Sequence, residues 1–403
     1  MINLETPKKF APLIAQAHQV ATEVFRPISR KYDLAEHEYP KELDMLASAI
    51  DGVNAGAGLD GAGAAGVRRE SKGGDQGNRN GSNLSTVLSI MELCWGDVGL
   101  LLTMPRQGLG NAAIASVANE EQLARFDGRW AAMAITEPEA GSDSAAIRTT
   151  AVLDGEEYVL NGEKIYVTSG ERADLVVVWA TLDRTKGRAA IKSFVVEREN
   201  PGLNLERLEH KLGIRASDTA AFRLEDCRVP KDDLLGSPEV DVKQGFGGAM
   251  QTFDNTRPLV AAMAVGLTRA CLEEAREQLE RAGVRVDHAA PAYTQHAAAA
   301  RLQEMEADYE AARLLTLQAA WMADNSKPNS LHASMAKAKA GRTCVEVSLG
   351  CVELCGSLGY DERGLLEKWA RDAKILDIFE GTQQIQLLIV ARQLLGKTSA
   401  DLR

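Results

Sequence analysis

One acidic side chain, Glu380, stands in an apolar context that could prepare it for chemistry near pH 7. It follows Ile378 and Phe379 directly and precedes Gly381, within the stretch ILDIFEGTQQIQLLIVARQLLG at 375–396. A carboxylate that loses hydration has a raised pKa, and a base with a pKa near neutrality is suited to proton abstraction. The alternative is a solvated turn carboxylate beside the positive end of the next helix. The local sequence leaves both interpretations open.

Two further stretches carry hydroxyl and aromatic groups that would suit a flat ring. In AITEPEAGSDSAAIRT (134–149), a predicted strand ends at Thr136, and a loop of small residues that includes Ser142 follows. Its hydroxyls and amides could hydrogen-bond the polar edge of a ring, although an ordinary loop with Asx and Ser turns has the same composition. In KIYVTSG, Tyr166 and Thr168 share one face of a predicted strand because side chains alternate. A half-buried strand without a ligand is the alternative there.

Glycines at 56, 58 and 61, and again at 61, 63 and 66, match the G-x-G-x-x-G pattern of dinucleotide-binding loops. That pattern binds a pyrophosphate only where a strand precedes it and a helix N-terminus follows it. Neither is predicted here, so we attribute the match to low-complexity glycine. A nicotinamide dehydrogenase has no other support in the sequence.

The composition indicates an enzyme whose cysteines are reduced and that binds neither nucleic acid nor membranes. The chain has 403 residues, of which 45% are hydrophobic, and a formal net charge of −11. An acidic chain without a basic stripe argues against nucleic-acid binding, and no apolar run approaches the ~20 residues of a transmembrane helix. The six cysteines form no CxxC pair, and the six histidines do not cluster with cysteine or carboxylate, so we expect no metal site. The N-terminus does not resemble a signal peptide, and we expect a cytoplasmic location.

The hydrophobic periodicity divides the chain into a helix–sheet–helix order. Residues 1–128 are predicted to form a helical domain with a Gly-rich insert at 51–83, whose composition favours a mobile loop. Residues 129–238 contain short β-rich runs and are predicted to form a small β domain. Residues 239–403 return to the helical period and predict a four-helix bundle. The predicted fold is therefore α+β and mainly α.

Local signals predict two finer features. Asn161-Gly162 lies between β-rich runs and predicts a hairpin turn. In the helix that follows Glu380, Thr382 is the predicted N-cap, Leu388 is among the residues predicted to point inward, and Gly396 is the predicted stop.

Four stretches, in this order, resemble signatures of the acyl-CoA dehydrogenase family. TEPEAGSD is close to the family's TEPGAGSD loop, and YVTSG matches its WIT-type strand. FDNTRPLVAAMAVG matches the start of its long helix, and RDAKILDIFEGTQQIQLLIVARQLLG matches its C-terminal signature. The resemblance spans about residues 85–396. It implies an N-terminal helical domain, a β domain and a C-terminal four-helix bundle, usually in a tetramer that uses FAD to desaturate acyl-CoA between Cα and Cβ.

The resemblance implies a role for each candidate residue. Glu380 stands where the family has the base that takes the α-proton, while the backbone N–H of this residue binds the thioester carbonyl and the β-hydride goes to flavin N5. Some relatives place the base near Thr256 instead, a position that holds no acid here. The implied FAD contacts within the subunit are Thr136, Ser142, Tyr166, Thr168, Thr382 and Gln384. The implied substrate contacts are Ser142, Asp254, Arg257, Glu380 and Gly381.

Two departures from the family concern the FAD diphosphate, which the family reaches from a neighbouring subunit. The family's RxxFG becomes RAGVR, which keeps Arg281, and the glutamine of its QxxGGxG stretch becomes Glu353. A carboxylate beside a diphosphate is repelled, so Arg281 or Arg285 is expected to compensate for it unless a different chain completes the site.

The resemblance also implies partners. Electron-transfer flavoprotein is the expected electron acceptor, and a homotetramer or homodimer is the expected assembly. An acyl-CoA oxidase is one alternative function. A subunit that completes a partner's flavin site in a hetero-oligomer is the other.

Overall fold

The candidate residues lie in the central sheet and its loops and in the C-terminal helical part, and further helices precede the sheet in the chain. The computed structural model describes residues 6–47, 80–105, 109–240, 247–398 and 401. In the helix that begins at Gly247, side chains are described from Thr256 onward. Most of the Gly-rich insert predicted at 51–83 lies outside the described residues.

The described N-terminal part is helical. Its elements are α1 (Ala11–Val20), a π-helical segment (Ala21–Phe25), α2 (Arg26–Ala35), α3 (42–47), α4 (Ser82–Gly96), α5 (Val98–Thr103), α6 (Leu109–Val117) and α7 (Glu120–Arg125). α4 begins inside the stretch predicted as a loop, because a distant carboxylate, Asp324, caps it. Asp324 accepts hydrogen bonds from the N–H groups of Gly81, Asn83 and Leu84 at 2.7, 2.9 and 3.1 Å. These N–H groups belong to the first turn, which a helix itself leaves unpaired.

The central part contains a seven-stranded sheet. Its strands are β1 (Ala131–Ala134), β2 (Thr150–Asp154), β3 (Glu157–Thr168), β4 (Leu175–Thr181), β5 (Ile191–Glu197), β6 (Leu203–Leu208) and β7 (Thr219–Pro230). The order is β1-β4-β2-β3-β7-β6, with β5 paired to β4. β1 runs parallel to β4, whereas β3 is antiparallel to β2 and β7. β2 and β6 are largely exposed, and the exposed residues of β2 include the apolar Val152 and Leu153.

The predicted hairpin turn at Asn161-Gly162 is wrong. β3 runs through both residues, and a bulge shifts its register with β7 at this point. A Cβ at position 162 would lie 2.4 Å from Thr149 Oγ1, so glycine serves close packing between backbones here and not a turn. The tight turn of the β2–β3 hairpin lies at Gly155, where φ is 64°.

The C-terminal part is again helical. Its elements are α8 (Gly247–Arg281), α9 (Ala297–Asp324), α10 (Ser330–Cys355), α11 (Ser357–Tyr360), α12 (Leu366–Leu376) and α13 (Gln383–Leu395). α10 packs against α8, α9, α12 and α13, so it occupies the centre of this part. The four-helix prediction omits α12, because buried Lys368 and Asp372 interrupt its apolar pattern. The observed architecture confirms the predicted mainly α, α+β class.

A buried ionic cluster joins these three parts of the chain. Lys368 pairs with Asp372 at 2.7 Å and also with Asp97. Asp97 caps α5 by accepting a hydrogen bond from Leu100 N at 2.8 Å, and Asp372 accepts one from Ile214 N at 2.5 Å, in the loop between β6 and β7. Buried charges are tolerated when they are paired and hydrogen-bonded in this way. The cluster therefore fixes α12, and with it the chain that leads to Glu380.

In the part of the chain that the structure describes, no helix combines the length and the apolar character that crossing a bilayer requires.

Candidate active site

Glu380 lies in the turn that joins α12 to α13. Its φ is 54°, and the φ of the next residue, Gly381, is 90°. A positive φ costs a residue with a Cβ about 1–3 kcal/mol, so the surrounding contacts must hold Glu380 in this conformation. The turn is therefore a constrained element of the kind that is concentrated at functional sites.

A hydroxyl from α8 holds the carboxylate of Glu380. Thr256 Oγ1 donates a hydrogen bond to Glu380 Oε2 at 2.8 Å. Burial raises the pKa of Glu380, and the Thr256 hydrogen bond and the charges of Arg257 and Lys337 lower it only in part. This is the direction expected from the sequence. The apolar flank is not its whole cause, however, because Ile378 is 45% exposed.

Two buried side chains hold the backbone of the same turn. Lys337 Nζ, on α10, donates a hydrogen bond to the carbonyl oxygen of Gly381 at 2.7 Å. Gln386 Nε2, on α13, donates to the carbonyl oxygens of Glu380 and Gly381 at 2.9 and 3.2 Å. Sequence reasoning misses both residues, because a lysine or glutamine in a helix is normally assigned to the exposed face. Their proximity to Glu380 becomes visible only when α10 and α13 are packed together.

The ends of α13 agree with the prediction, but its buried face does not. Thr382 Oγ1 accepts a hydrogen bond from Ile385 N at 3.4 Å, and Gly396 ends the helix in the left-handed conformation with φ 62°. Leu388, predicted to point inward, is 41% exposed, whereas Gln386 is fully buried. The polar contacts of Gln386 with the turn, and not the apolar pattern, decide which face is buried.

A buried network fixes the loop that begins at Thr136. Glu137 accepts hydrogen bonds from Thr149 N and Oγ1 at 2.9 and 2.6 Å, from Arg148 N at 2.5 Å and from Lys164 Nζ at 2.7 Å. Burial alone would raise the pKa of Glu137, but the Lys164 ammonium and the other donors lower it. Burial also lowers the pKa of Lys164, to about 8. The network ties the loop to β3 on one side and to the start of β2 on the other.

Glu137 and Lys164 are site residues that the sequence reasoning missed. Both lie inside the stretches singled out for chemistry, and both are buried. An acid and a base in two adjacent motifs of a β domain were the available signal. Pairing them would have required the knowledge that the chain after β1 lies against β3, where Ile165 N donates a hydrogen bond to the Thr136 carbonyl.

The four predicted ring contacts lie around this network. The Thr136 carbonyl accepts a hydrogen bond from Ile165 N at 2.9 Å, which brings the loop against β3. Ser142 is exposed, Thr168 is partly buried, and Tyr166 is 62% exposed with φ 58°. A bulge in this part of β3 breaks the regular alternation of side chains. Tyr166 and Thr168 are nevertheless both more exposed than Val167 between them, and their placement on one face stays a prediction.

The residues predicted to contact the phosphate arm of FAD face outward in the single chain. Arg281 is exposed and pairs with Glu277, one turn earlier on α8. Glu353, on α10, and Gln384, on α13, are also exposed. The predicted contact of Asp254 with substrate stays a prediction, because its side chain is outside the described part of α8.

Among the described residues, one group of possible metal ligands combines two neighbours in the sequence, Glu36 and His37, with the distant His210. Glu36, His37 and His210 have ligand atoms within 4.8 Å of one another. Glu36 Oε2 is 2.8 Å from His210 Nδ1, and Glu36 Oε1 accepts a hydrogen bond from Lys211 N at 3.1 Å. Burial and the charge of Lys211 lower the pKa of His37. The Glu36 carboxylate is already bound by His210 and Lys211. These contacts join the end of α2 to the loop between β6 and β7. The expectation of no metal site stays a prediction.

The fold and the site together define a class of protein. Helices, a central β sheet and C-terminal helices, in this order, match the fold of acyl-CoA dehydrogenases. Family models match the last two of these parts. Residues 132–227 match the middle domain of acyl-CoA dehydrogenases, and residues 243–395 match their C-terminal domain.

Individual relatives extend the match to nearly the whole chain. The mitochondrial short-chain specific acyl-CoA dehydrogenase of Rattus norvegicus is 33% identical over 400 residues, which cover 98% of this chain and 92% of the relative. The structure of butyryl-CoA dehydrogenase from Megasphaera elsdenii superposes with a TM-score of 0.82 at 30% identity and covers 98% of this chain and 100% of that one. A prolyl acyl carrier protein oxidase superposes with a TM-score of 0.80 at 28% identity and covers 97% of this chain and 100% of that one. This chain belongs to the acyl-CoA dehydrogenase family and is an oxidoreductase.

Proposed function

We propose that the protein desaturates an acyl-CoA thioester between Cα and Cβ, with Glu380 as the base that takes the α-proton. The observation that carries this proposal is the state of the Glu380 carboxylate. Burial raises its pKa, and Thr256 fixes one of its oxygens at 2.8 Å. A carboxylate with a pKa nearer to neutrality accepts a proton from a weak carbon acid more readily than an ordinary one.

The groups around Glu380 act in the direction that this role requires. The charges of Arg257 and Lys337 favour the ionised carboxylate, so they keep the base deprotonated before substrate binds. The backbone N–H of Glu380 is the proposed donor to the thioester carbonyl, where negative charge develops as the proton leaves. The other proposed substrate contacts are Ser142, Asp254, Arg257 and Gly381.

The β-domain residues fit the FAD that membership of the family implies. Ser142 and Tyr166 are exposed, so a hydroxyl and an aromatic ring are available to a flat ligand. The Glu137 network holds the loop that contains Ser142 in place beside β3, the strand that contains Tyr166. The proposed ring contacts are the hydroxyls of Thr136, Ser142 and Thr168 and the ring of Tyr166. Bound FAD supplies the two-electron acceptor of the reaction.

The proposed contacts to the phosphate arm of FAD come from two places. Thr382 and Gln384 lie at the N-terminus of α13, where the helix dipole favours an anion. Arg281 and Glu353 are exposed, and we propose that they reach the FAD of a neighbouring subunit.

A second copy of the chain is the proposed occupant of the exposed face of α13. Leu387, Leu394 and Leu395 of this helix are 52%, 68% and 68% exposed. Large apolar side chains grouped on one element are usually covered by a partner. We propose a homodimer or homotetramer, to be measured by light scattering, with a hetero-oligomer as the alternative. Electron-transfer flavoprotein is the proposed acceptor, and the cytoplasmic location stays a prediction from the sequence.

Flavin bleaching tests the proposed reaction. The purified protein with bound FAD is mixed, without oxygen, with CoA esters of increasing length, beginning with the butyryl ester named in a structural relative. We expect at least one ester to remove the absorbance of the oxidised flavin. The variant Glu380→Gln should react at least roughly 10²-fold more slowly, which is the lower range for loss of a general base.

A matched control separates the base from a general effect of charge. Glu362 is exposed, so Glu362→Gln should keep the wild-type rate. Near-normal reduction of Glu380→Gln would contradict the assignment of the base. A wild-type flavin that no acyl-CoA reduces would contradict the reaction itself.

An acyl-CoA oxidase is the second candidate, because one structural relative is an oxidase. Reoxidation of the reduced protein by O₂ and by electron-transfer flavoprotein can be compared directly. Faster reoxidation by O₂ would assign the oxidase function. A chain that retains FAD only after a different partner chain is added would instead be a site-completing subunit.

A further inference from the structure

Two consecutive carbonyl groups at the base are held from inside the helical bundle. Lys337 Nζ donates to the Gly381 oxygen at 2.7 Å, and Gln386 Nε2 donates to the oxygens of Glu380 and Gly381 at 2.9 and 3.2 Å. Lys337 is 1% exposed and Gln386 is 0% exposed, so water does not compete for these bonds. A Cβ on residue 381 would lie 2.4 Å from Gln386 Nε2, so this approach requires a glycine.

These bonds account for the strained backbone of the turn. Glu380 has φ 54°, a conformation that a residue with a Cβ adopts only when its surroundings impose it. With both carbonyls directed toward α10 and α13, the side chain of Glu380 leaves on the side of α8, where Thr256 donates to it. The backbone is thus held by two helices and the carboxylate by a third.

We propose that Lys337 and Gln386 are positioning residues that clamp the Glu380 turn. The inference deepens the proposed function, on which it rests. Neither side chain needs to touch the substrate for this role. Each acts through the backbone of residues 380 and 381, and Lys337 also acts through its charge.

Burying the Lys337 ammonium lowers the stability of the fold, which argues against a purely structural role for this residue. Burial lowers the pKa of Lys337 to about 8, although the carboxylates of Asp377 and Glu380 oppose the shift. Taking an ammonium out of water is costly, and a methionine would occupy similar space without that cost. A variant that is as stable as the wild type but reacts slowly would show that the charge and the hydrogen bond serve the site.

The experiment compares Lys337→Met with Lys339→Met. Lys339 lies on the same helix, but its side chain is partly exposed and pairs with Asp308, so it controls for the loss of a lysine from α10. Hydrogen exchange of the 379–385 peptide is measured by mass spectrometry in the holoprotein, together with the thermal midpoint and the FAD content. This readout does not depend on turnover. The inference therefore remains testable even if acyl-CoA does not reduce the wild-type flavin.

We expect exchange of the turn amides to be roughly 10- to 100-fold faster in Lys337→Met, as the loss of a hydrogen bond from a charged donor implies. Flavin reduction at pH 7 should slow by roughly 10²-fold, the effect of misplacing a reacting group by about 1 Å. The acid limb of the rate profile should move to higher pH, because a cation that favours the carboxylate is gone. Lys337→Arg should return the acid limb to its wild-type position. Gln386→Met should speed exchange of the turn amides but leave the acid limb at the wild-type pH.

Three results would overturn the inference. Wild-type exchange in Lys337→Met would show that no clamp exists, whatever happens to the rate. Faster exchange with a wild-type rate would show that the reaction does not need the clamp. Equal effects in Lys339→Met would assign the change to α10 as a whole.

Discussion

Replacing Lys164 with methionine should destabilise the β domain and loosen the loop that carries the proposed flavin contacts. Lys164 is 0% exposed and Glu137 is 6% exposed, and their side chains are 2.7 Å apart. After the substitution, the Glu137 carboxylate would keep its hydrogen bonds from Thr149 and Arg148 but would lose its only cation within this network. The buried negative charge of Glu137 would then have no positive charge of Lys164 beside it.

The expected cost follows from the burial of the pair. Removing one partner of a buried ion pair costs about 3–5 kcal/mol, because the other charge remains desolvated. The double variant Glu137→Gln/Lys164→Met should cost less than the sum of the two single changes. It contains no unpaired charge, and the glutamine oxygen can still accept a hydrogen bond from Thr149 N. We expect a coupling of at least about 2 kcal/mol between the two positions, within the range for residues in contact.

Hydrogen exchange of the β2 and β3 amides measures this cost in the domain that carries it. A protein with several domains does not unfold in a single step, so a global melting temperature would mix the sheet with the helices. Arg223→Met is the matched control. Arg223 pairs with Glu206 on the same sheet at 2.5 Å, but its side chain is 46% exposed, so its loss should cost at most about 1 kcal/mol.

The same variants should also lose FAD more readily than the control, because the loop from Thr136 to Thr149 is fastened through Glu137. The reasoning would be refuted by an opening free energy in Lys164→Met equal to that of the control. Strict additivity in the double variant would refute it equally. Normal stability with weakened FAD binding would separate the two consequences and assign Lys164 to the cofactor alone.

Three further changes have expected outcomes. Asp324→Ala should cost about 1–2 kcal/mol in the stability of α4, because a helix cap is lost, whereas the exposed Asp308→Ala should cost little. Equal opening free energies of the α4 amides in hydrogen exchange would contradict the cap. The rate of flavin reduction should fall as the pH decreases through the pKa of Glu380, because only the ionised carboxylate accepts the proton. Since that pKa is raised, the fall should occur at a higher pH than for an ordinary glutamate. A flat rate down to about pH 4 would contradict this. Glu353→Gln should leave FAD affinity equal or tighter and Arg281→Ala should weaken it, which titration of the apoprotein measures; loss of FAD binding in Glu353→Gln would show that the carboxylate is a required contact.

The features that could be predicted from the sequence are those decided by neighbouring residues. The cap at Thr382 and the stop at Gly396 depend on groups within one turn of the helix, and both are observed. The start of α4 could not be predicted, because its cap, Asp324, is more than 200 positions away in the chain. The hairpin signal at Asn161-Gly162 is genuine local chemistry that close packing against a neighbouring strand overrides.

The candidate site divides in the same way. Glu380 could be selected from its apolar flank and its motif, and the direction of its pKa shift is as expected. Lys337, Gln386 and Lys164 could not be selected, because each is a polar residue whose burial depends on a partner from another element. The sequence is thus most informative about the group proposed to do the chemistry and least informative about the groups that hold it in place.

The reactivity of the native cysteines can be used to measure local opening of the protein. Five of the six thiols are buried, and burial raises the pKa of Cys227 and of Cys344 to about 12. Because the thiolate is the reactive form, an alkylating reagent can reach these groups only when their surroundings open. Cys227 lies in β7, whereas the other five lie in helices. The order in which a reagent modifies the native protein, with partly exposed Cys355 first, would therefore record whether the sheet or the helical bundle opens more often, without any engineered label.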